Sequence, residues 1–377
     1  MNTHPYPFPR SGLALGVSVL LALQAAGAAF DSTSTGVDGD LNITQDTQLE
    51  MPANGVFNFI KITVAGGATL SFKRNSLNTP VVLLAQEDVV IQGNISVAGG
   101  GSSGAIRGEG GPGGFDGGNG GFGPSAPASR GGDGQGPGRG TGASGQGDAA
   151  YASPAGSNNR TYGNVLINPL VGGSGGAGSS GNPGTGGSGG GGAILIASST
   201  RIVINGLVNA RGGFTPVGNG SGGSVRLVAP TGGGAGRVWA DAYGGASSGR
   251  IRVDCTDPNA FRNLNYSGTV TRGTRMYALP PPPPKLSLVS VAGRPIAANE
   301  IESVQVSLPA GSSPNQEVVL RGTGFPANTP VQVAVIPEHS ASVTVDGVLN
   351  GTANPPEVVV PIVIPAGEPV TIQAWAR

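Results

Sequence analysis

The chain has 377 residues, of which 70 are Gly and 31 are Pro, and it carries 21 positive and 21 negative side chains. Gly and Pro together are about twice as frequent as in average proteins, which excludes an ordinary helical enzyme. Zero net charge gives no field to recruit nucleic acid, so we expect no nucleic-acid partner.

The N-terminal residues 1–29 have the pattern of a secretory signal peptide. One Arg precedes an apolar run from Ser11 to Leu23, and small residues follow up to Ala29. This order predicts cleavage after Ala28 or Ala29. The apolar run is shorter than the roughly 20 residues of a membrane span, so we expect no transmembrane segment in the mature chain. The predicted location is therefore secreted: extracellular, at the cell surface or periplasmic.

Composition divides the region that follows, residues 30–279, into three stretches. Alternating apolar and polar residues predict strands up to residue 98 and again from Ala193 to about Met276. Between them, residues 99–192 contain 38 Gly and almost no aliphatic side chains. Such a stretch cannot bury a hydrophobic core of its own, so it is interpreted as a Gly-rich insertion.

A repeat gives the most specific evidence on the fold. Four strand segments end in a Gly-Gly pair, and the pairs are spaced by 33, 113 and 32 residues. Two strand patterns before the insertion also match two after it at the constant offset of 113 residues. The pattern that begins at Val81 matches the one at Ile194, and the pattern that begins at Val89 matches the one at Ile202. A short strand unit that repeats in this way is typical of a solenoid, because one unit cannot cover its own apolar face.

The predicted fold class is therefore all-β, with a parallel β-helix-like solenoid that carries the long Gly-rich insertion. The alternation predicts one inward row of side chains, which consists of Ile62, Ile95, Val208 and Ala240. A β-sandwich with coincidental spacing is the alternative for this region. The Gly-Gly pairs of the insertion could also pack as polyproline-II-like strands, and the sequence leaves this open.

A run of five prolines, Pro280 to Pro284, separates a last domain. Proline resists helix and donates no hydrogen bond, so residues 280–285 are predicted to be a stiff linker that few contacts cross. Residues 286–377 then predict an Ig-like β-sandwich with short strands. The expected strands are Ser303–Leu308, Gln316–Leu320, Val331–Val335, Ser342–Val345, Glu357–Ile364 and Val370–Trp375.

Two stretches resemble known families. The run from Val318 to Pro326, which contains Gly322-Thr323-Gly324-Phe325, followed by Thr329 to Val333, resembles the opening of the TIG/IPT family of extracellular Ig-like domains. That resemblance implies an Ig-like fold and an interaction or spacer role, without chemistry. The segments Gly189–Ile196 and Gly222–Leu227 are similar to the Gly-rich β-repeat regions of secreted bacterial surface proteins.

Residues for catalysis or metal binding are scarce. The solenoid has no histidine, which excludes a Ser-His-Asp or Cys-His nucleophile there. The single cysteine, Cys255, has no second cysteine and no solenoid histidine to join in a zinc site. Because it follows the strand residues Val253 and Asp254, it is interpreted as a small buried residue. No Gly-Lys pair exists to form a phosphate-binding loop. We expect no cofactor, no metal and no catalytic residues.

The richest candidate surface is an outward row that contains Trp239, Asp241 and Tyr243. Two rings beside a carboxylate could stack on sugar rings and accept hydrogen bonds from hydroxyl groups. The 32-residue spacing predicts Arg211 beside Tyr243 and Asn209 beside Asp241, with Leu207 against Trp239. All five of the residues Trp239, Asp241, Tyr243, Arg211 and Asn209 are therefore candidate ligand-binding residues. The alternative is that the Gly-rich insertion or the second domain covers the side chains of this row.

These observations predict a secreted or cell-surface structural or adhesive protein, with extracellular polysaccharide or a cell-surface component as its partner, and not an enzyme. The alternative is a polysaccharide lyase or hydrolase on a β-helix scaffold, which would need several carboxylates on one outward face. The charged residues available for such a site are Asp241, Asp254, Arg211, Arg226 and Arg252, with Glu87 and Asp88 in a turn.

Overall fold

A computed structural model of the chain describes residues 29–122, 130–142, 147–279, 284–297, 304–326, 328–338, 340–349 and 355–377. The predicted signal peptide up to residue 28, linker residues 280–283, and residues 123–129 and 143–146 of the insertion lie outside this description. The described residues form strands, turns and extended segments without a helix, which confirms the all-β prediction. No helix long and apolar enough for a membrane span occurs in that part of the chain.

Three parallel sheets make up the region before the linker. Sheet A consists of β1 (Leu41–Ile43), β4 (Ile62–Val64), β7 (Val89–Ile91), β10 (Arg201–Ile204) and β13 (Thr231–Gly233). Sheet B consists of β2 (Thr47–Glu50), β5 (Thr69–Lys73), β8 (Asn94–Ser96), β11 (Leu207–Asn209), β14 (Arg237–Trp239) and β16 (Asn265–Ser267). Sheet C consists of β3 (Val56–Phe59), β6 (Val81–Ala85), β9 (Ala193–Ser198), β12 (Ser224–Val228), β15 (Arg250–Asp254) and β17 (Thr269–Gly273). Strands enter the sheets in the order A, B, C through five complete sets, each of which stacks on the one before, and β16 and β17 then extend sheets B and C alone.

The three sheets share one hydrophobic core. Alternate side chains of each strand point into it, as Ile62 of sheet A, Ile95 of sheet B and Ile194 of sheet C do, and all three are fully buried. Each such side chain contributes about 1.5 to 3 kcal/mol by leaving water. Sheet C is also covered outside, where Val82 and Leu195 pack with Ala278 of the segment that leads to the linker.

The register confirms one of the predicted offsets and corrects the other two. Ile95 pairs with Val208, which is the offset of 113 across the insertion. Ile62 lies in sheet A and pairs with Val89, so the 33-residue match to Ile95 was wrong. The cause is the position of the Gly-Gly pairs along the chain. Gly66-Gly67 lies where the chain passes from sheet A (β4) to sheet B (β5), whereas the pairs after β8 and β11 lie where the chain leaves sheet B for sheet C.

The last offset is 30 residues rather than 32, because Val208 pairs with Val238. Ala240 therefore lies one pair further along the inward side, in line with Ala210. The Gly244-Gly245 pair that suggested the longer spacing belongs to a turn in which Ala246 N–H donates to the carbonyl of Tyr243 at 3.2 Å, and Gly244 has a φ of +58° there.

The described part of the Gly-rich insertion forms extended segments that hydrogen-bond through their backbones at every third residue. The N–H groups of Gly184, Gly187 and Gly190 donate to the carbonyls of Gly121, Gly118 and Phe115 at 2.8 Å each. A second series runs in parallel from Phe115, Gly118 and Gly121 to Gly173, Gly176 and Ser179 at 2.9 to 3.0 Å. A period of three residues is that of the polyproline II helix. The described part of the insertion is therefore a bundle of such extended segments, one of the arrangements that the sequence left open.

Glycine is required in this bundle because neighbouring backbones touch. A Cβ atom at Gly175 would overlap the carbonyl oxygen of Asp116, and one at Gly111 would overlap that of Val97. The bundle interior is thus filled by backbone, and hydrogen bonds replace the apolar side chains of an ordinary core. This explains how a stretch without a hydrophobic core is nevertheless largely buried.

The region after the linker forms two antiparallel sheets. One contains β18 (Lys285–Val291), β19 (Arg294–Pro295), β20 (Asn315–Thr323) and β23 (Glu357–Val363); the other contains β21 (Pro330–Pro337), β22 (Val343–Val348) and β24 (Val370–Ala376). The sheets share a second core, with Val318, Val333 and Val360 buried in it. Five of the six expected strands are confirmed. The sixth, Ser303–Leu308, is wrong, since its described residues 304–308 form no strand, and β18 was not anticipated.

This C-terminal region docks on the Gly-rich bundle, contrary to the expectation of few contacts. Arg139 of the bundle, itself 1% exposed, donates to the hydroxyls of Ser342 and Thr344 at 2.8 Å each. Ser342 in turn donates its backbone N–H to Asp133 at 2.9 Å. The linker composition could not reveal this, because the contacts come from residues about 200 positions apart.

Candidate functional site

The candidate residues lie on the outer face of sheet B and at the corner where the chain leaves it for sheet C. The register aligns one outward row, made of Gln48, Ser71, Ser96, Asn209, Trp239 and Ser267. Five of these six side chains are small or uncharged hydrogen-bonding groups, and Trp239 is the aromatic exception. The face therefore carries a row of polar side chains, with Trp239 next to the last position of the row.

The corrected register changes which candidates are neighbours. Asn209, not Leu207, pairs with Trp239, and Arg211 comes level with Asp241 rather than with Tyr243. A shift of two residues keeps every side chain on the same face of a strand. The five predicted residues are therefore still brought to one surface, but with different contacts.

Arg211 lies at the centre of the cluster. Its Nε and one terminal nitrogen donate to the two carboxylate oxygens of Asp241 at 2.6 and 2.5 Å. Its guanidinium also stacks 4.1 Å from the ring centre of Trp239 and 5.2 Å from that of Tyr243. The hydrogen bonds to Asp241 raise the pKa of Arg211 above its ordinary value. Arg211 therefore stays charged and holds three of the other candidates in place.

This geometry changes the expected roles of Trp239 and Asp241. A guanidinium already covers a face of the Trp239 ring, and a second one, Arg237, lies 5.4 Å from its centre. Both oxygens of Asp241 are engaged by Arg211. These two residues thus act mainly within the protein, as does Asn209, whose Oδ1 accepts the backbone N–H of Arg211 at 3.1 Å.

The exposed part of the cluster is a pair of aromatic rings. Tyr243 is 40% exposed and Phe214 is 58% exposed, and their rings meet edge to face at 5.4 Å. Sequence reasoning missed Phe214, although it follows Gly212-Gly213 at the corner that the repeat defines. The described residues of the Gly-rich insertion leave both rings exposed.

The bundle instead holds the two loops that carry these rings. On the Phe214 side, Gly213 donates its N–H to Gly189 at 2.8 Å, and the Thr215 hydroxyl donates to the Gly186 carbonyl at 3.1 Å. On the Tyr243 side, the carboxylate of Asp148 accepts the N–H of Gly245 at 3.1 Å. The position of the aromatic pair therefore depends on residues far away in sequence.

The residues available for the enzymatic alternative are not assembled in an open cleft. Asp254 and Arg226 are 1% and 2% exposed, because residues 275–278 cover them and accept hydrogen bonds from Arg226. Asp88 is paired with Arg201 at 2.7 Å. Cys255 is buried, as expected, and burial raises the pKa of its thiol. Within the described residues, no group of three or more His, Cys, Asp or Glu could hold a metal.

Comparison with known proteins adds no relative: no protein-family model, no curated protein and no solved structure matches this chain.

Proposed function

We propose that this chain is an exported surface protein that attaches to extracellular polysaccharide through the outer face of sheet B. The observation that carries the proposal is the exposed aromatic pair Phe214 and Tyr243, which lies at the corner that follows β11 and β14, beside a row of mostly uncharged polar side chains. Aromatic rings stack on the apolar faces of sugar rings, and hydroxyl and amide groups hydrogen-bond sugar hydroxyls. Ser96 and Ser267 supply hydroxyl groups in the same outward row as Trp239.

The architecture that we propose for this function is a three-sided β-solenoid followed by an Ig-like sandwich. The rotation of strands through sheets A, B and C supports the solenoid, as does the 113-residue register across the insertion. Strands of successive turns lie about 4.8 Å apart. A solenoid therefore presents a long flat face, which suits an extended polymer better than a small molecule.

Charge favours an uncharged polymer over a strongly ionic one. The pair of Arg211 and Asp241 is internally neutral, and Arg237 is the remaining charge beside Trp239. Export, predicted from the apolar N-terminal run, would place the face where polysaccharides occur. An adhesive role is therefore proposed without any catalytic step.

The test is a pull-down with insoluble polysaccharides, run beside a glycan array, on the secreted chain. The double variant Phe214→Ala/Tyr243→Ala should lose retention on the polysaccharide that the native chain binds. Phe122→Ala is the matched control, because Phe122 is also 52% exposed but lies in the insertion. Retention of the double variant at the native level, or no polysaccharide bound by the native chain, would contradict the proposal.

A further inference from the structure

A pocket opens where the C-terminal region docks on the Gly-rich bundle. It has a volume of about 440 Å³, which is the size of pockets that hold a small organic ligand. The bundle contributes Ile106, Arg107 and Asn119 to its wall, and the C-terminal region contributes Ile336, Glu338 and Thr371. Because both parts of the chain contribute, this pocket exists only while they are docked, and we call it the interface pocket.

A tight hairpin in the wall of the interface pocket is joined to the loop that carries Phe214. Ser103 and Ile106 exchange backbone hydrogen bonds at 3.0 Å each, and the Ile106 side chain, which lines the pocket, is 67% exposed. Just before the hairpin, the Ser102 hydroxyl donates to the hydroxyl of Thr215 at 3.1 Å. The hairpin therefore connects the loop of the aromatic pair to the interface pocket.

Several polar groups of the pocket have hydrogen-bonding capacity left over. The Thr371 hydroxyl bonds to no described residue, and the Arg107 guanidinium has a contact of 3.7 Å with Asp116, which is longer than a hydrogen bond. One oxygen of Glu338 accepts from Asn119 at 3.1 Å, and the other has no partner among the described residues. A guanidinium only donates, a carboxylate only accepts, and a hydroxyl does both. The pocket thus offers donors and acceptors together.

The charges of the pocket balance and so favour a neutral ligand. Arg107 and Glu338 have opposite signs, and Asp133, which also lines the pocket, is paired with Arg130 at 2.7 Å. An anion would meet the carboxylate of Glu338, and a cation would meet the guanidinium of Arg107. Sugar hydroxyls can donate to the carboxylate and accept from the guanidinium, while Ile106 offers an apolar contact to the carbon atoms of a sugar ring.

We propose that the interface pocket binds a short stretch of a neutral saccharide, as a second subsite beyond the aromatic pair. The choice of a saccharide rests on the proposed function, whereas the pocket contains neither ring of the aromatic pair. A saccharide in the pocket contacts the bundle and the C-terminal region at once. Its binding therefore stabilises the docked arrangement, because a ligand stabilises the state that alone binds it.

Methyl NMR on the full secreted chain tests the pocket directly. Maltotriose, cellotriose and xylotriose are the neutral probes, and glucuronic acid is the acidic one. At least one neutral probe should shift the methyl signals of Ile106 and Thr371 in a saturable way. Thr371→Val keeps the shape of the side chain but removes the hydroxyl, so it should weaken that binding roughly fivefold, as followed at Ile106. Thr63→Val is the matched control, because Thr63 is also partly buried on a strand but lies in sheet A.

The double variant Phe214→Ala/Tyr243→Ala separates this site from the aromatic pair, because it should lose retention on polysaccharide but keep the shifts at Ile106 and Thr371. Absence of any shift at the pocket would overturn this proposal, and would leave the proposed function standing if the native chain is retained. Shifts at the pocket without retention of the native chain would do the reverse. Shifts with glucuronic acid alone, or equal affinities of Thr371→Val and Thr63→Val, would contradict a neutral saccharide bound through the Thr371 hydroxyl.

Discussion

Asp133 and Ser342 join the Gly-rich bundle to the C-terminal region, although they are 209 positions apart. One carboxylate oxygen of Asp133 accepts both the backbone N–H and the hydroxyl of Ser342. The other accepts from Arg130 and from the N–H of Gly142, at 2.7 and 2.8 Å. The carboxylate is therefore fully coordinated at the contact between the two parts of the molecule.

Replacing Asp133 with Asn should loosen this docking. A carboxylate bonded to several donors contributes about 1.5 to 3 kcal/mol per hydrogen bond, and an amide cannot accept at both ends. Small-angle scattering should show a larger radius of gyration for Asp133→Asn. Asp148→Asn is the control, because Asp148 bonds only within the first part of the chain; an equal expansion of both variants would contradict this role.

The same docking should weaken in acid. Burial by itself would raise the pKa of Asp133, but the hydrogen bonds from Ser342 and Gly142 and the charge of Arg130 outweigh it and lower the pKa. A carboxyl group whose pKa is lower in the docked state stabilises docking at pH values above its pKa in the undocked state, near 3.8. That contribution is lost as the pH falls through the lower pKa of the docked state. Scattering measured from pH 6 down to about pH 2.5 should show the expansion in the native chain only at the acidic end, and in Asp133→Asn throughout.

A single methyl group should disrupt the Gly-rich bundle. Gly175→Ala places a Cβ on the carbonyl oxygen of Asp116, and relieving such overlap costs about 1 to 3 kcal/mol or more. Gly66→Ala is the matched control, because nothing lies within 4 Å of a Cβ at that position. Urea unfolding should give a lower midpoint for Gly175→Ala alone; similar midpoints would mean that the bundle is not tightly packed.

Stability and binding should separate within the candidate site. Asp241→Asn removes the charged partner of Arg211 and should lower the free energy of unfolding by about 1 kcal/mol, because both groups are partly exposed. Tyr243→Ala loses an edge contact of similar size, about 0.5 to 1.5 kcal/mol, but also a ring open to ligand. Thermal unfolding of both variants, followed by the polysaccharide pull-down, should show the larger loss of binding in Tyr243→Ala. The reverse order would assign recognition to the carboxylate.

Deleting Gly104–Gly187 should leave the parallel sheets paired. The strands on either side, β8 and β11 as well as β6 and β9, pair directly with each other and not through the insertion. The deletion does remove Asp148 and Gly186, which hold the aromatic loops, and Asp133 and Arg139, which hold the C-terminal region. Circular dichroism should therefore keep a cooperative β transition, while polysaccharide retention falls and the radius of gyration per residue rises.

Much of the parallel fold follows from the sequence, because its causes are local and periodic. Alternation of apolar residues predicts strands, and the pattern at Val81 and Ile194 predicts a pairing across more than a hundred residues, since both strands must bury the same face. The spacings of 33 and 32 residues predicted the wrong strand pairs, because Gly-Gly pairs occur at more than one kind of corner between the sheets. Composition alone cannot distinguish the corner before sheet B from the corner after it.

Composition predicted that residues 99–192 could bury no core of side chains, and the alternation and repeat spacing predicted that Arg211, Trp239, Asp241 and Tyr243 lie on one surface. Only the tertiary structure shows that the glycines pack backbone against backbone. It also shows that Arg211 stacks on Trp239 and binds both oxygens of Asp241, and that Phe214 is the second exposed ring beside Tyr243. Those outcomes depend on which groups approach within a few ångströms across long sequence separations. Hydrogen-bond and stacking partners that are far apart in sequence leave no repeating pattern in a single sequence. The burial of one face of a strand does leave such a pattern, because apolar and polar residues then alternate.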